Sequence, residues 1–317
     1  MNISHYMKNE KSGLAFTTLE LVQAEERLGH KVKLQEPTDK DGNAGIVLYG
    51  DSELKADVEC IHSQLPFRTY FNRVPKFMWM HGEPLSSVGN GVSMKAICDL
   101  AKHCEAFIAM RQEEWAVWKS IKRTYVVQKG IDLERFKPIT LPEGTAKLAG
   151  EPAILYAEHW RGQRNPLYWC NAMEKVWERL PKARLHLFNC TDPKMGDTFK
   201  ALIEQNRWSL FIRSLCGPVK DEDVNLLYNR ADIVVSALYP LYARSIEALG
   251  AGKAFIGAGY TDPEYPWHCE YHPDSMAKAI IDCWENYDSL NYRSWAERKH
   301  DVNETVKQSV EIYGRYL

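Results

Sequence analysis

The residues best placed to do chemistry stand where apolar runs give way to helical periodicity. In the second half, Ile233-Val234-Val235-Ser236 leads through a loop into Arg244-Ser245-Ile246-Glu247-Ala248-Leu249-Gly250. A strand end followed by a helix start offers unpaired backbone N–H groups and the positive end of a helix dipole, which suit a diphosphate. Glu247 on that helix has two readings: it takes the two hydroxyls of a ribose, or it caps and pairs locally. Arg244, at the helix start, is a candidate contact to the same nucleotide. Gly13, in Lys11-Ser12-Gly13-Leu14, lies between the first apolar run and the first helical stretch. It lets backbone N–H groups approach a phosphate, or it makes a turn. His81 closes the run Phe77-Met78-Trp79-Met80 and precedes Gly82, which permits close backbone approach. It lines a site or is a locally satisfied strand-end histidine.

Other patterns have structural explanations. Asp39-Lys40-Asp41 has the spacing of a metal–diphosphate motif but sits in Glu36-Pro37-Thr38-Asp39-Lys40-Asp41-Gly42-Asn43, a polar turn. No metal site is expected there. Asp221-Glu222-Asp223 opens a helix, with Asp221 as N-cap and the acids complementing the dipole. The sequence holds neither G-x-G-x-x-G nor a Walker loop, which argues against a dinucleotide enzyme and a P-loop NTPase. No two of the eight cysteines are spaced C-x-x-C, so buried reduced thiols in a cytoplasmic protein are expected, not a zinc site or disulfide framework.

The elements that must position these residues alternate in type. Short apolar runs begin at Ile3, Lys31, Ile46, Val58, Phe77, Ala106 and Tyr125, with helical stretches at Leu14 to Leu28, 93–103 and 111–121. Pro138 to Thr145 breaks both periods and reads as a linker. A second series follows. Its strands start at Ala153, Arg184, Leu210, Ile233 and Ala254, and its helices cover Leu167 to Arg179, Asp197 to Gln205, Asp221 to Asn229 and Arg244 to Gly250. The tail from Asp274 is mostly helical. Such alternation predicts βαβ units and parallel sheets, with a ligand between two α/β domains.

Composition agrees. The chain has 317 residues, 45% of them apolar and 26% charged, with 40 basic against 42 acidic side chains. That suits two soluble domains and excludes a disordered chain or a globally basic nucleic-acid clamp. No apolar run approaches the roughly 20 residues of a membrane span. Residues 1–140 sum to +1 and the remainder to −3. Two clusters interleave aromatics with cations: Pro66 to Lys76, and Trp115, Trp118, Lys119, Lys122 and Arg123. They grip a polynucleotide, sit at a membrane surface, or are a solvated helix face over core aromatics.

Several segments, in order, resemble one family. Val126-Val127-Gln128-Lys129-Gly130-Ile131-Asp132-Leu133-Glu134-Arg135-Phe136-Lys137-Pro138 resembles the "IPNGID…RFKP" segment of retaining GT-B glycosyltransferases of the glycogen-synthase-like group. Ile154 to Ala157, Asn165-Pro166 and Ala183 to Phe188 resemble the start of that family's donor domain. Gly217-Pro218-Val219 with Leu227 to Asp232, and Ile246-Glu247-Ala248 with Gly252-Lys253, resemble "GPV…LYxxAD" and "LEAMACGKP". The resemblance implies an α/β GT-B fold: two Rossmann-like domains facing across a cleft. It divides the chain into an acceptor-side domain over 1–140, a nucleotide-sugar domain over 141–300, and a C-terminal helix over 301–317 packing near the first.

The resemblance also implies roles. Glu247 matches the second glutamate of the family's Glu-seven-residues-Glu motif, which binds the ribose. The first falls on Tyr239, a departure that touches the donor sugar. The family's diphosphate-binding arginine and lysine fall on His159 and Arg164, with Arg161 close by. Pro240-Leu241-Tyr242 replaces a glycine-rich segment, making Tyr242 a further donor-side candidate. His81 matches the histidine near the transferred sugar. Glu83 and Glu264 are lesser candidates, for the acceptor and the donor side. The implied activity is metal-independent, retaining transfer of a hexosyl or pentosyl group from a nucleotide-diphosphate sugar, a UDP-sugar first, with no other cofactor. The acceptor is a glycan, lipid, protein or modified DNA base, and the protein is cytoplasmic or peripheral to a membrane. Two other readings are a GT-B protein that binds a nucleotide sugar or glycan without turnover, and an epimerase or phosphorylase on the same fold.

Overall fold

The structure, a computed structural model, describes residues 1–7, 13–35, 47–62, 73–80, 94–110, 112–156, 158, 166–188, 193–214, 219–236, 243–257 and 264–317. They form two compact units, one of Met1–Asp132 with Lys299–Leu317 and one of Leu133–Arg298.

Seven strands of the first unit are β1 (Asn2–Tyr6), β2 (Lys31–Gln35), β3 (Val47–Gly50), β4 (Val58–Ile61), β5 (Lys76–Met80), β6 (Ala106–Ala109) and β7 (Thr124–Val126). They form one sheet in the order β3-β2-β1-β4-β5-β6-β7. The period-two alternation of side chains sorts the central strands onto two cores. Phe77 and Trp79 join Ile3, Val58, Cys60 and Ile108 on one face, packed against α1 (Gly13–Arg27). Met78 and Met80 join Ile61 and Phe107 on the other, against α2 (Met94–Ala101) and α3 (Gln112–Trp118). The expectation of parallel pairing fails at the edge. β3 pairs antiparallel with β2, with an irregularity between Leu34 and Gln35. Only residues 36–46 join the two strands, fewer than a parallel crossover needs.

The second unit has a parallel sheet ordered β10-β9-β8-β11-β12. Its strands are β8 (Ala153–Tyr156), β9 (Arg184–Leu187), β10 (Ile212–Ser214), β11 (Ile233–Val235) and β12 (Ala254–Ile256). The helices are α4 (Leu167–Arg179), α5 (Pro193–Gln205), α6 (Val224–Asn229), α7 (Ala243–Gly250), α8 (Pro273–Glu285) and α9 (Tyr292–Lys299), and α4 packs on α8.

Two local expectations are corrected. The proline-rich segment read as a linker is fastened to α6. Asn229 donates through Nδ2 to the Lys137 carbonyl at 3.0 Å and accepts the Ile139 N–H at 3.0 Å. Arg230 Nε donates to the Ala146 carbonyl at 2.9 Å. Asp221 does not cap a helix through its side chain. A 3-10 turn over Asp221–Asp223 precedes α6, and the Asp221 carboxylate pairs with Arg135, whose Nη2 also donates to the Asp221 carbonyl at 3.0 Å. A charged partner outcompetes a neutral backbone N–H for a carboxylate.

Helix α10 (Val302–Gly314) belongs to the first unit and packs on α1. Its start is stitched to the chain leaving β7: Ile131 N–H donates to the His300 carbonyl at 2.9 Å, and Val302 N–H to the Ile131 carbonyl at 3.1 Å. The seam is tight enough to require Gly130, where a Cβ would lie 2.4 Å from the Val302 Cα. Near the far end of α10, the buried Tyr313 hydroxyl accepts from Trp79 Nε1 at 3.1 Å and from Cys60 Sγ at 3.2 Å.

Candidate functional site

The second sheet builds outward from β8 through β9 to β10, then returns to the other side of β8 for β11 and β12. The order therefore reverses between β8 and β11. In such sheets the ligand crevice lies outside the carboxyl ends of the strands at that reversal. There β8 runs on toward Glu158, which is buried, and β11 runs on to Ser236, also buried. His159, Arg161 and Arg164 follow the first strand end, and Tyr239 and Tyr242 follow the second. These five lie outside the described residues, as does the Arg244 side chain.

Glu247 is described. It sits in the second turn of α7, a helix whose residues 245–250 are all buried. A buried carboxylate needs a partner, and here the Tyr228 hydroxyl on α6 donates to Glu247 Oε2 at 2.8 Å. The contact is between helices, not along one.

Several side chains fix this edge. Trp169 Nε1 on α4 donates to the Ser236 carbonyl at 2.8 Å. Tyr265 both accepts the Phe255 N–H at 3.0 Å and donates to the Phe255 carbonyl at 2.8 Å, holding β12. At Gly257 a Cβ would lie 2.6 Å from the tip of the Phe255 ring and 2.7 Å from Ser236 Oγ, so a side chain there would have to displace both. Arg293 Nη1 donates to the Gly250 carbonyl at 2.9 Å and to the Phe136 carbonyl at 2.6 Å. It thereby satisfies the C-terminal end of α7, where a cation is also favoured by the dipole. Glu264 is exposed in a turn.

In the first unit the order reverses between β1 and β4. Gly13 is the first residue of α1, the helix that follows β1. His81 comes directly after the last residue of β5, but it and Glu83 lie outside the described residues, as do Asp39 and Asp41. Of the second aromatic–cation cluster, Trp118 is buried in the core, and Trp115 donates Nε1 to the Thr124 carbonyl at 3.0 Å with Lys119 Nζ 3.9 Å from its ring centre. Trp118 serves packing, while Trp115 is only half-buried.

Sequence reasoning missed a buried polar chain in this unit. His5 Nε2 lies 2.6 Å from Glu25 Oε2, and His5 Nδ1 lies 2.8 Å from His62 Nε2. An ionised Glu25 can only accept, so His5 donates from Nε2, and in its neutral form accepts from His62 at Nδ1. His62 in turn stacks on Trp79, with ring centres 5.6 Å apart. On the opposite face Tyr6 donates to Glu59 at 3.1 Å, and Glu59 pairs with Lys76 at 3.4 Å. Burial, followed by the Glu59 charge, pushes the Tyr6 hydroxyl up to about 12.

Among the described residues no group of three or more His, Cys, Asp or Glu side chains could hold a metal ion, and no helix is long and apolar enough to cross a membrane.

No family model and no curated protein matches the chain. Solved structures do match its fold. A glycosyltransferase from Rickettsia africae is similar with a TM-score of 0.73 at 15% identity, covering 99% of this chain and 98% of that one. Sucrose-phosphate synthase from Thermosynechococcus elongatus gives 0.71 at 13% identity, covering 100% and 99%. Anabaena HepE, in complex with UDP, gives 0.72 at 14% identity, covering 99% of each chain. The fold is α/β of the GT-B type, with two Rossmann-like domains.

Proposed function

We propose that this chain is a glycosyltransferase that uses a nucleotide-diphosphate sugar, with a UDP-sugar as donor, and retains anomeric configuration without a metal ion. The observation that carries the reading is the placement of Glu247. It is a buried acid on the helix after β11, at the reversal point of the second sheet, oriented by Tyr228. The likeness in fold to a protein in complex with UDP supports it.

In this reading Glu247 takes the ribose hydroxyls. Arg164, with His159 or Arg161, grips the diphosphate and stabilises charge as the nucleotide leaves. Arg244, Tyr242 and Tyr239 complete the donor side, Gly13 brings backbone N–H groups toward the phosphates, and His81 lines the reacting centre. The donor supplies the sugar, and no further cofactor is needed. The acceptor is a hydroxyl-bearing glycan, lipid, protein or modified base.

The test is a thermal-shift series with nucleoside diphosphates and their sugars, since stabilisation grows with the ratio of ligand to dissociation constant. UDP and a UDP-sugar should raise the melting temperature of the native chain and not of Glu247→Ala. Absence of any nucleotide shift would overturn the donor site. Binding with neither transfer nor donor hydrolysis would leave a nucleotide-sugar-binding protein, the outcome that tyrosine at position 239 favours.

A further inference from the structure

The amino-terminal edge of the second sheet, at the opposite end of the strands from the proposed nucleotide crevice, carries a cationic hollow. Two adjoining depressions of about 310 and 390 Å3 share Ala149 and Arg213. Lys182 and Arg184 line the first, and Lys147, His186 and Arg230 the second. The register pairs His186 on β9 with Arg213 on β10. Strand alternation puts Arg184 on the same face as His186.

The charges here are unbalanced. Lys182 pairs with Glu151 at 3.0 Å and Lys147 lies 3.7 Å from Asp232. The three arginines instead donate to backbone carbonyls: Arg184 to Ala183 at 2.7 Å, Arg213 to Ser209 at 2.5 Å, Arg230 to Ala146 at 2.9 Å. Carbonyls orient a guanidinium without neutralising it. Among the described residues no carboxylate pairs with any of the three.

His186 adds an independent observation. It is 3% exposed, and its Nε2 lies 2.7 Å from the Ala149 carbonyl. A carbonyl only accepts, so Nε2 carries the hydrogen. Its Nδ1 is buried with no hydrogen-bond partner among the described residues. Such an orphaned polar atom is costly and marks a place where a partner is missing. Burial, followed by the charges of Arg213, Arg230 and Arg184, holds the ring below its ordinary 6.5, while the Ala149 contact opposes this.

We propose that this hollow binds a small phosphate-bearing anion, a phosphomonoester or diphosphate, which Arg213 and Arg230 grip, and whose charge favours uptake of one proton at the buried His186 Nδ1. The volumes suit a small ligand. The cations supply charge-assisted hydrogen bonds. The incoming negative charge offsets the arginine field, which adds to burial in holding His186 below its ordinary value, so anion and proton bind together.

Calorimetric titration of the native chain with pyrophosphate and with sulfate tests this. Arg213→Gln and Arg230→Gln, at partly or fully exposed positions, should each weaken both anions by about tenfold. Sulfate stays a dianion across the range, so its affinity isolates the protein's proton uptake. It should bind several-fold tighter at about pH 6 than at about pH 8, with the dependence lost in His186→Gln. The His186 ring resonances should move toward the charged form on adding sulfate. Unchanged affinity in both arginine variants, or pH-independent sulfate binding with a static His186 signal, would overturn the proposal.

Discussion

Tyr228 and Glu247 meet at 2.8 Å on two different helices, the tyrosine hydroxyl donating and the carboxylate accepting. Tyr228 is 0% and Glu247 6% exposed. A carboxylate held in this way has its orientation set before a ligand arrives, which lowers the entropy cost of binding.

Tyr228→Phe removes that donor and keeps the ring. UDP affinity should fall by about tenfold, while global stability falls by about 1–2 kcal/mol. Titration of both proteins with UDP, alongside urea unfolding, checks this. An unaltered affinity would mean that Glu247 does not need Tyr228 to orient it.

Glu25 and His5 are both fully buried and 2.6 Å apart. Glu25→Ala should destabilise the fold by about 3–5 kcal/mol, because it strands His5 Nε2 in the core. Glu25→Gln should cost less, since the amide still reaches His5. Chemical denaturation of the pair gives the comparison, and equal losses would argue that volume, not hydrogen bonding, is what matters there.

The Tyr313 hydroxyl accepts two buried donors, Trp79 Nε1 and Cys60 Sγ. Tyr313→Phe removes the acceptor that both share and should cost about 1–3 kcal/mol. Tyr313→Ala also opens a cavity against Phe77, whose ring centre lies 4.8 Å away, and should cost about 3–5 kcal/mol. Tryptophan fluorescence followed through denaturant unfolding reads out the stability of both variants.

His186 has a folded-state value below its ordinary 6.5, chiefly through burial. Below about pH 6.5 the unfolded chain takes up a proton that the folded chain refuses, so acidification costs stability. The native protein should therefore lose more stability between about pH 7.5 and about pH 5.5 than His186→Gln, in the absence of anions. Parallel losses in the two proteins would count against a buried neutral ring.

Much of the fold is legible in the sequence because its rule is local. The run Phe77 to Met80 is apolar at every position, as a strand covered on both faces must be, and the stop at Gly29 marks the end of α1 within two residues. The placement of Glu247 is legible for the same reason, since a strand and the helix after it are neighbours in the chain. Its partner is not. Tyr228 looks like any core tyrosine until α6 and α7 are seen side by side. His5, Glu25 and His62 lie 20 and 57 positions apart and become a chain only through β1–β4 pairing and the packing of α1. The basic hollow is likewise assembled from four separate stretches of chain. Asp221 misled because capping is a local rule, while Arg135, 86 positions away, is a stronger partner.

The division of the first unit into Met1–Asp132 and Lys299–Leu317 orders the birth of the protein. A chain made from its amino end presents the whole of Leu133–Arg298 before α10 exists. The second unit can fold while synthesis continues, but the first waits, with the face of its sheet that receives α10 uncovered. The part of the Phe77 and Trp79 core that Val302, Val306, Ile312 and Tyr313 complete closes only when the last residues are made.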